Sequence, residues 1–237
     1  MFMTSSDLDS SKSATLGRQP AAISLVAMML LLAWDFSGAD MKMAEIWGDA
    51  TGFPLRDHWW MVKVMHEGAR NLGWLFFLVL LIGVWRPWGP LKSLPLAERL
   101  SLFVSVLCAL LSVTLIKGIS QTSCPWDLQI FGGAVPYVSH WEIWLRDGGG
   151  GHCFPAGHAS TGFAFMAAYF GLWHSRPRSA LKWLIAALIV GFTLGISQQM
   201  RGAHFMSHTL WTAWLCWTVG WLSHAFFQRF FNPLRGT

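Results

Sequence analysis

Six long stretches of the chain contain no Asp, Glu, Lys or Arg: 19–34, 71–85, 100–116, 148–175, 183–200 and 202–228. A helix needs about 20 mostly apolar residues to cross a bilayer core. The last four stretches fit that length well. The first two are shorter and extend past flanking charges that snorkel to the interface. The pattern predicts an all-α, polytopic bundle of six transmembrane helices. Composition points the same way, with 12% charged and 54% hydrophobic residues. Ordinary soluble domains carry about 25% charge, so a water-soluble globule is excluded, and so is a disordered chain. The charge-free stretch 128–141 is too short to span and contains Gly132, Gly133 and Pro136, which mark it as a loop.

Six spans put both termini on one side. That side carries ten Lys and Arg residues and the acids Asp7, Asp9 and Glu98, while the other carries seven basic and nine acidic residues. The positive-inside rule then places both termini in the cytoplasm, and the net charge of +5 reports orientation, with no nucleic-acid partner implied. The chain divides into a cytoplasmic tail (1–19), a six-span membrane domain (20–228) and a second cytoplasmic tail (229–237). Residues 39–70 form an external segment and 118–154 an external loop. Within the first tail, 4–15 reads as mobile. Residues 56–70 read as an amphipathic helix lying at the interface before the second span. Residues 1–39 also fit a secretory signal with Ser37-Gly38-Ala39 as its small-residue site; cleavage there leaves five spans without flipping them.

Three polar clusters fall at span ends, all on the external side. The first is Lys117, followed by Cys124-Pro125. Alone, such a lysine reads as a snorkelling helix end; beside other polar groups it reads as a cation for an anionic ligand. The second is Pro155-Ala156-Gly157-His158 after the glycine run 148–151. Pro155 suits the first turn of a helix, so a helix N-terminus with small residues is predicted here, suited to a phosphate. The bland alternative is a glycine-rich turn with an interfacial histidine. The third is Gln198, Arg201, His204 and His208, which share one face if the segment is a continuous helix. The His204–His208 pair also suits a metal, with His158 or His152 as a third ligand. No HExxH motif and no neighbouring carboxylate accompany it, which ranks metal binding second.

Together the clusters resemble the signature of the type-2 phosphatidic acid phosphatase superfamily of membrane lipid phosphatases: K-x6-R-P, P-S-G-H and S-R-x5-H-x3-D. Lys117 and Cys124-Pro125 match the first motif with Cys for Arg. Pro155 to His158 match the second with Ala for Ser. Ser197 and His204 match the third, with Gln198 for Arg and His208 for Asp. The likeness covers about residues 100–225. It implies a metal-independent hydrolase, without cofactor, in which His204 attacks phosphorus to form a phosphohistidine and His158 serves as acid and then base. Lys117, Arg201, Gly157, Ala156 and Gln198 hold the phosphate, with His66 and Arg70 as further donors. Arg201, one turn from Gln198, replaces the missing guanidinium. His208, when neutral, accepts the His204 N–H as the family's Asp does. An alternative register makes His208 the nucleophile, with Thr212 behind it.

A disulfide between Cys124 and Cys153 would tie the first motif's loop to the second and account for the Cys that replaces Arg; two free thiols are the alternative. The implied partners are the bilayer and a lipid phosphate such as undecaprenyl diphosphate, phosphatidylglycerol phosphate, phosphatidic acid or lipid A. The implied place is the outer, periplasmic face of a bacterial inner membrane. A lipid-to-lipid phosphotransferase and a non-catalytic lipid-phosphate binder or transporter are the competing readings.

Overall fold

The computed structural model describes residues 5–231, with side chains described from Gln19 onward. The ends of both expected tails, 1–4 and 232–237, lie outside the described residues. Among those residues there is no β-strand beyond isolated bridges pairing Asp49 with Gly52 and Leu128 with Val135. The chain is helical, as its apolar stretches demand.

Helix α1 runs Ser5–Phe36. It therefore takes in residues 5–15 of the stretch 4–15 that the sequence suggested was a mobile tail, with residue 4 outside the described residues. Gly38, in a left-handed conformation with φ 69°, turns the chain into the short α2, Ala39–Ala44. A π-helical segment, Trp60–Gly68, runs directly into α3, Ala69–Trp85. The expected interfacial helix is thus the first part of the second long helix and no separate element. Its wider winding, with hydrogen bonds skipping one residue more than in an α-helix, turns the Met65 carbonyl onto His158.

A 3-10 turn, Gly89–Ser93, leads to α4, Leu96–Ile119. The buried face of α4 sets the small residues Ser101, Ser105 and Ala109 beside Leu102, Val106 and Val113. Small residues at helical spacing let backbones approach closely where no water drives packing. Along that face lies α8, Met206–Phe231. Before it come α5, Ser160–Phe163, α6, Ala167–Leu172, and α7, Pro177–Met200. Together with 3-10 turns at Gly157–Ala159 and Ala164–Met166, α5 and α6 form one broken central helix. It packs against α4, α7 and α8, and Ala159, Phe163, Ala164, Met166, Ala167 and Leu172 are all buried. A helix apolar all round belongs in the middle of a bundle.

The start of this central helix differs from expectation. The sequence placed Pro155 in its first turn, but the helix begins at Gly157, and Pro155, joined to Phe154 by a cis peptide bond, lies two residues before it. Residues 152 and 153 are held alongside 120–122, with His152 N–H donating to the Ser120 carbonyl (2.9 Å) and Cys153 N–H to that of Thr122 (3.1 Å). That pairing keeps 148–156 out of the helix. Among the described residues, four segments are long and apolar enough to cross a membrane: Gln19–Phe36, Trp60–Ser93, Leu96–Ile119 and Pro177–Met200. The central helix is short and broken, and α8 carries His208, Thr209, Thr212 and His224 among its apolar residues.

Candidate active site

Lys117 sits in the last turn of α4, where a cation complements the helix dipole. Its ammonium donates to the His152 carbonyl, and the His152 ring returns a contact at 3.1 Å to the Lys117 carbonyl. The lysine stem then crosses Gly157, where a Cβ would stand 3.2 Å from Lys117 Cδ. Glycine at 157 thus makes room for the lysine at the head of the central helix. Cys124 and Cys153 are joined by a disulfide with Cα atoms 5.2 Å apart. Buried Asp147 gathers the same loops, accepting from Ser123 N–H (2.6 Å), Ser123 Oγ (2.9 Å) and Gly149 N–H (2.9 Å).

The third cluster is not one helical stripe. α7 stops at Met200, and Gly202 takes a left-handed conformation with φ 74°. Gly202 N–H donates to Gln199 O and Ala203 N–H to Gln198 O, both at 2.8 Å. These two bonds make a Schellman motif, which ends a helix and satisfies its last carbonyls. The Phe53 ring from the external segment covers Gly202 so closely that a Cβ there would lie 2.3 Å from Phe53 Cδ2. Gln198, Arg201, His204 and His208 therefore meet around a corner between two helices.

Arg201 is buried at that corner. Its Nε donates to the Arg56 carbonyl (2.9 Å) and its Nη1 to Gln198 Oε1 (3.0 Å). Trp126 offers its ring to both Arg56 and Arg201, at 4.7 and 5.7 Å from the centroid, a cation–π arrangement. The Gln198 amide also donates to Ser197 Oγ (3.2 Å), so Gln198 serves the site by orienting Arg201. His204 and His208 place their Nδ1 atoms 3.4 Å apart. Thr212 gives its hydroxyl to the His208 carbonyl (2.8 Å) and stands near that of Ala156 (3.1 Å). It therefore braces the backbone and does not back the His208 ring. Ala156 N–H is taken by the His208 carbonyl at 3.2 Å, which leaves Gly157 onward to face a ligand. Burial, reinforced by the Lys117 charge, holds the His204 imidazole well below its ordinary 6.5.

His158 closes the remaining side. Its Nε2 donates to the Met65 carbonyl at 2.7 Å, and its ring stacks on His66 with centroids 4.7 Å apart. Arg201 and Arg70 lie within electrostatic reach of both rings, and Lys117 and His158 within reach of His204. Lys117, His158 and the Arg201–His204 corner are thus brought together from three separate segments.

Other residues of the site carried no motif. Asp40 on α2 accepts Ser207 N–H at 2.9 Å, the Ser207 hydroxyl, and Trp34 Nε1 at 2.8 Å, pinning the start of α8. Asp35 and His140 form a buried pair nearby. The one signal available for Asp35 and Asp40 was their position, acids at the outer end of an apolar stretch.

Donor atoms of Cys153, His204 and His208 lie within 4.8 Å of one another, close enough for metal ligation. With Cys153 in a disulfide, its sulfur is not the thiolate a soft cation takes. The third ligands suggested by the sequence are engaged elsewhere, His152 on Lys117 and His158 on Met65. A family model described as the PAP2 superfamily matches residues 98–232. No curated protein and no solved structure matches the chain.

Proposed function

Since the chain belongs to the PAP2 superfamily, the type-2 phosphatidic acid phosphatases, it is a membrane phosphatase, and we propose that it cleaves lipid phosphates through a phosphohistidine on His204. His204 Nδ1–H donates to neutral His208, which leaves Nε2 with its lone pair for phosphorus. Lys117 and Arg201 neutralise the charge that builds on the phosphoryl oxygens. As the His204 Nε2–P bond forms, the bond to the lipid oxygen breaks and that oxygen takes a proton from His158. Nε2–H of His158 is held by Met65, so Nδ1 is the nitrogen that delivers it. The same nitrogen then removes a proton from water, whose oxygen attacks phosphorus as the His204 Nε2–P bond breaks, returning the lone pair to Nε2 and releasing inorganic phosphate. None of these steps calls for a metal.

The observation that carries this reading is the His204–His208 contact beside Lys117 and Arg201. A groove of about 210 Å³ lined by Arg70, Trp74, Phe77, Leu110, Gly157 and Phe165 supports a lipid substrate. It sets an apolar trough next to the glycine that fronts the phosphate. Six spans with cytoplasmic termini and an external site, on the periplasmic side of a bacterial inner membrane, complete the proposal. The excess of basic residues at the other end supports that orientation. So does the Cys124–Cys153 disulfide, because such bonds persist in oxidising compartments.

The test is phosphate release in EDTA from a panel of undecaprenyl diphosphate, phosphatidylglycerol phosphate, phosphatidic acid and lipid A. Turnover of at least one by the wild type, and none by His204→Ala, is expected. Full activity of His204→Ala overturns the assignment. Label from the donor appearing in another lipid, and not as free phosphate, turns it into a phosphotransferase.

A further inference from the structure

The mechanism proposed above lacks a carboxylate at the position where the family signature has Asp and this chain has His208. A developing imidazolium on His204 is poorly served by a neutral imidazole alone. The structure holds a buried acid close by that the mechanism does not yet use. His140 Nε2 lies 3.3 Å from Asp35 Oδ2, with side chains 7% and 2% exposed. Trp141 Nε1 (3.1 Å) and Trp211 Nε1 (2.9 Å) donate to the same oxygen. Oδ1 of Asp35 has no hydrogen-bond partner among the described residues.

Two indoles donate to Asp35, the His140 imidazole lies beside it at 3.3 Å without a hydrogen bond, and none of the three is a Lys or Arg that would cancel the charge. A carboxylate buried this way keeps its field, since little water screens it. The histidine pair lies on the far side of His140 from this acid. The His140 ring stacks on Phe154 at 4.2 Å and meets the His208 ring edge to face at 5.8 Å, with 88° between planes. Phe154 is likewise edge to face with His208 at 5.3 Å. Asp35, His140, His208 and His204 therefore form a continuous series from a buried acid to the reacting imidazole.

Resting on the phosphohistidine reading, we propose that Asp35, acting through His140, is the positioning acid of this site and stands in for the carboxylate that His208 replaced. It is not a catalytic residue, because it touches neither substrate nor the reacting nitrogen. Its field favours His208 as acceptor of the His204 proton and steadies the positive charge that spreads over the pair once the N–P bond forms.

A double-mutant cycle tests this, using the full-length protein in detergent and the panel lipid that the wild type turns over fastest. Asp35→Asn keeps an acceptor for the two indoles and removes the charge. It should lower kcat by about 10- to 100-fold and leave KM within about 2-fold, since a transition-state interaction alone is lost. His140→Gln, which leaves Asp35 bonded to both indoles, should give a loss of the same kind and answers the question if Asp35→Asn fails to fold. His208→Asp puts a carboxylate directly behind His204. In that background Asp35→Asn should cost less than about 2-fold, because the acid is no longer needed. Equal losses in both backgrounds, or no loss in either, overturn the proposal. If His204→Ala is inactive while Asp35→Asn and His140→Gln are unimpaired, this inference alone falls. An active His204→Ala removes the reading beneath it as well.

Discussion

Residues 98–232 and residues 34–70 make different kinds of contribution to one site. The first stretch, the one matched by the family model, carries Lys117, His158, Arg201 and His204. The second carries their supports: Asp40 on Ser207, the Arg56 carbonyl on Arg201, the Met65 carbonyl on His158 and the His66 ring stacked upon it. A reacting group must be one particular side chain at one particular place. A support can be a backbone carbonyl, which every residue has. The proposed reacting groups are therefore written in residue types, while much of what supports them is written only in geometry.

The sharpest way to break this division is to mutate across it. His204→Ala should lower phosphate release by about 10³-fold or more, the scale for losing a nucleophile, measured against the same protein's helical circular dichroism. Arg201→Lys keeps the charge but loses the fork that reaches Arg56 and Gln198 together. It should cost about 10²-fold in kcat by the same assay. On the supporting side, Asp40→Asn weakens the hold on Ser207 and should cost about 1–3 kcal/mol of stability. Thermal unfolding in detergent reads that loss, and an unchanged midpoint would place Asp40 outside the supports. Replacing both Cys124 and Cys153 by Ser should cost about 3 kcal/mol on a chain-entropy view, with kcat falling as Lys117 loses its fixed partner at His152. The smallest effect concerns acidity. His204 has a depressed pKa, so its neutral form persists to lower pH than a free imidazole's. The acid limb it sets in kcat/KM should lie below 6.5, and a limb from His204 at or above that value would contradict the burial described.

Charge-free stretches made the helical, membrane-embedded character legible, and the three clusters made the family legible, because both rest on side-chain type. Lengths of apolar runs said less about where helices begin. The run 148–175 begins with nine residues that pair with 120–122 or pack in the loop, since absence of charge cannot distinguish a span from a buried loop. Gly202 was visible as a glycine that can stop a helix, but the Phe53 ring that packs over it comes from far away in sequence. The π winding of Trp60–Gly68 is likewise a tertiary matter, with nothing in WMVKVMHEG that demands it over an ordinary turn. Asp35 and His140 are 105 positions apart and were unremarkable until folding set them side by side.

The corner at Gly202 also acts as a tether of fixed length. Arg201 and His204 are separated by two residues, so their Cα atoms cannot part by more than about 10 Å even if that link is drawn straight. Whatever slides or tilts to admit a substrate, α7 and α8 cannot do it by separating at this end. The His66 and Arg70 wall, joined to that corner only through space, is the side left to give way.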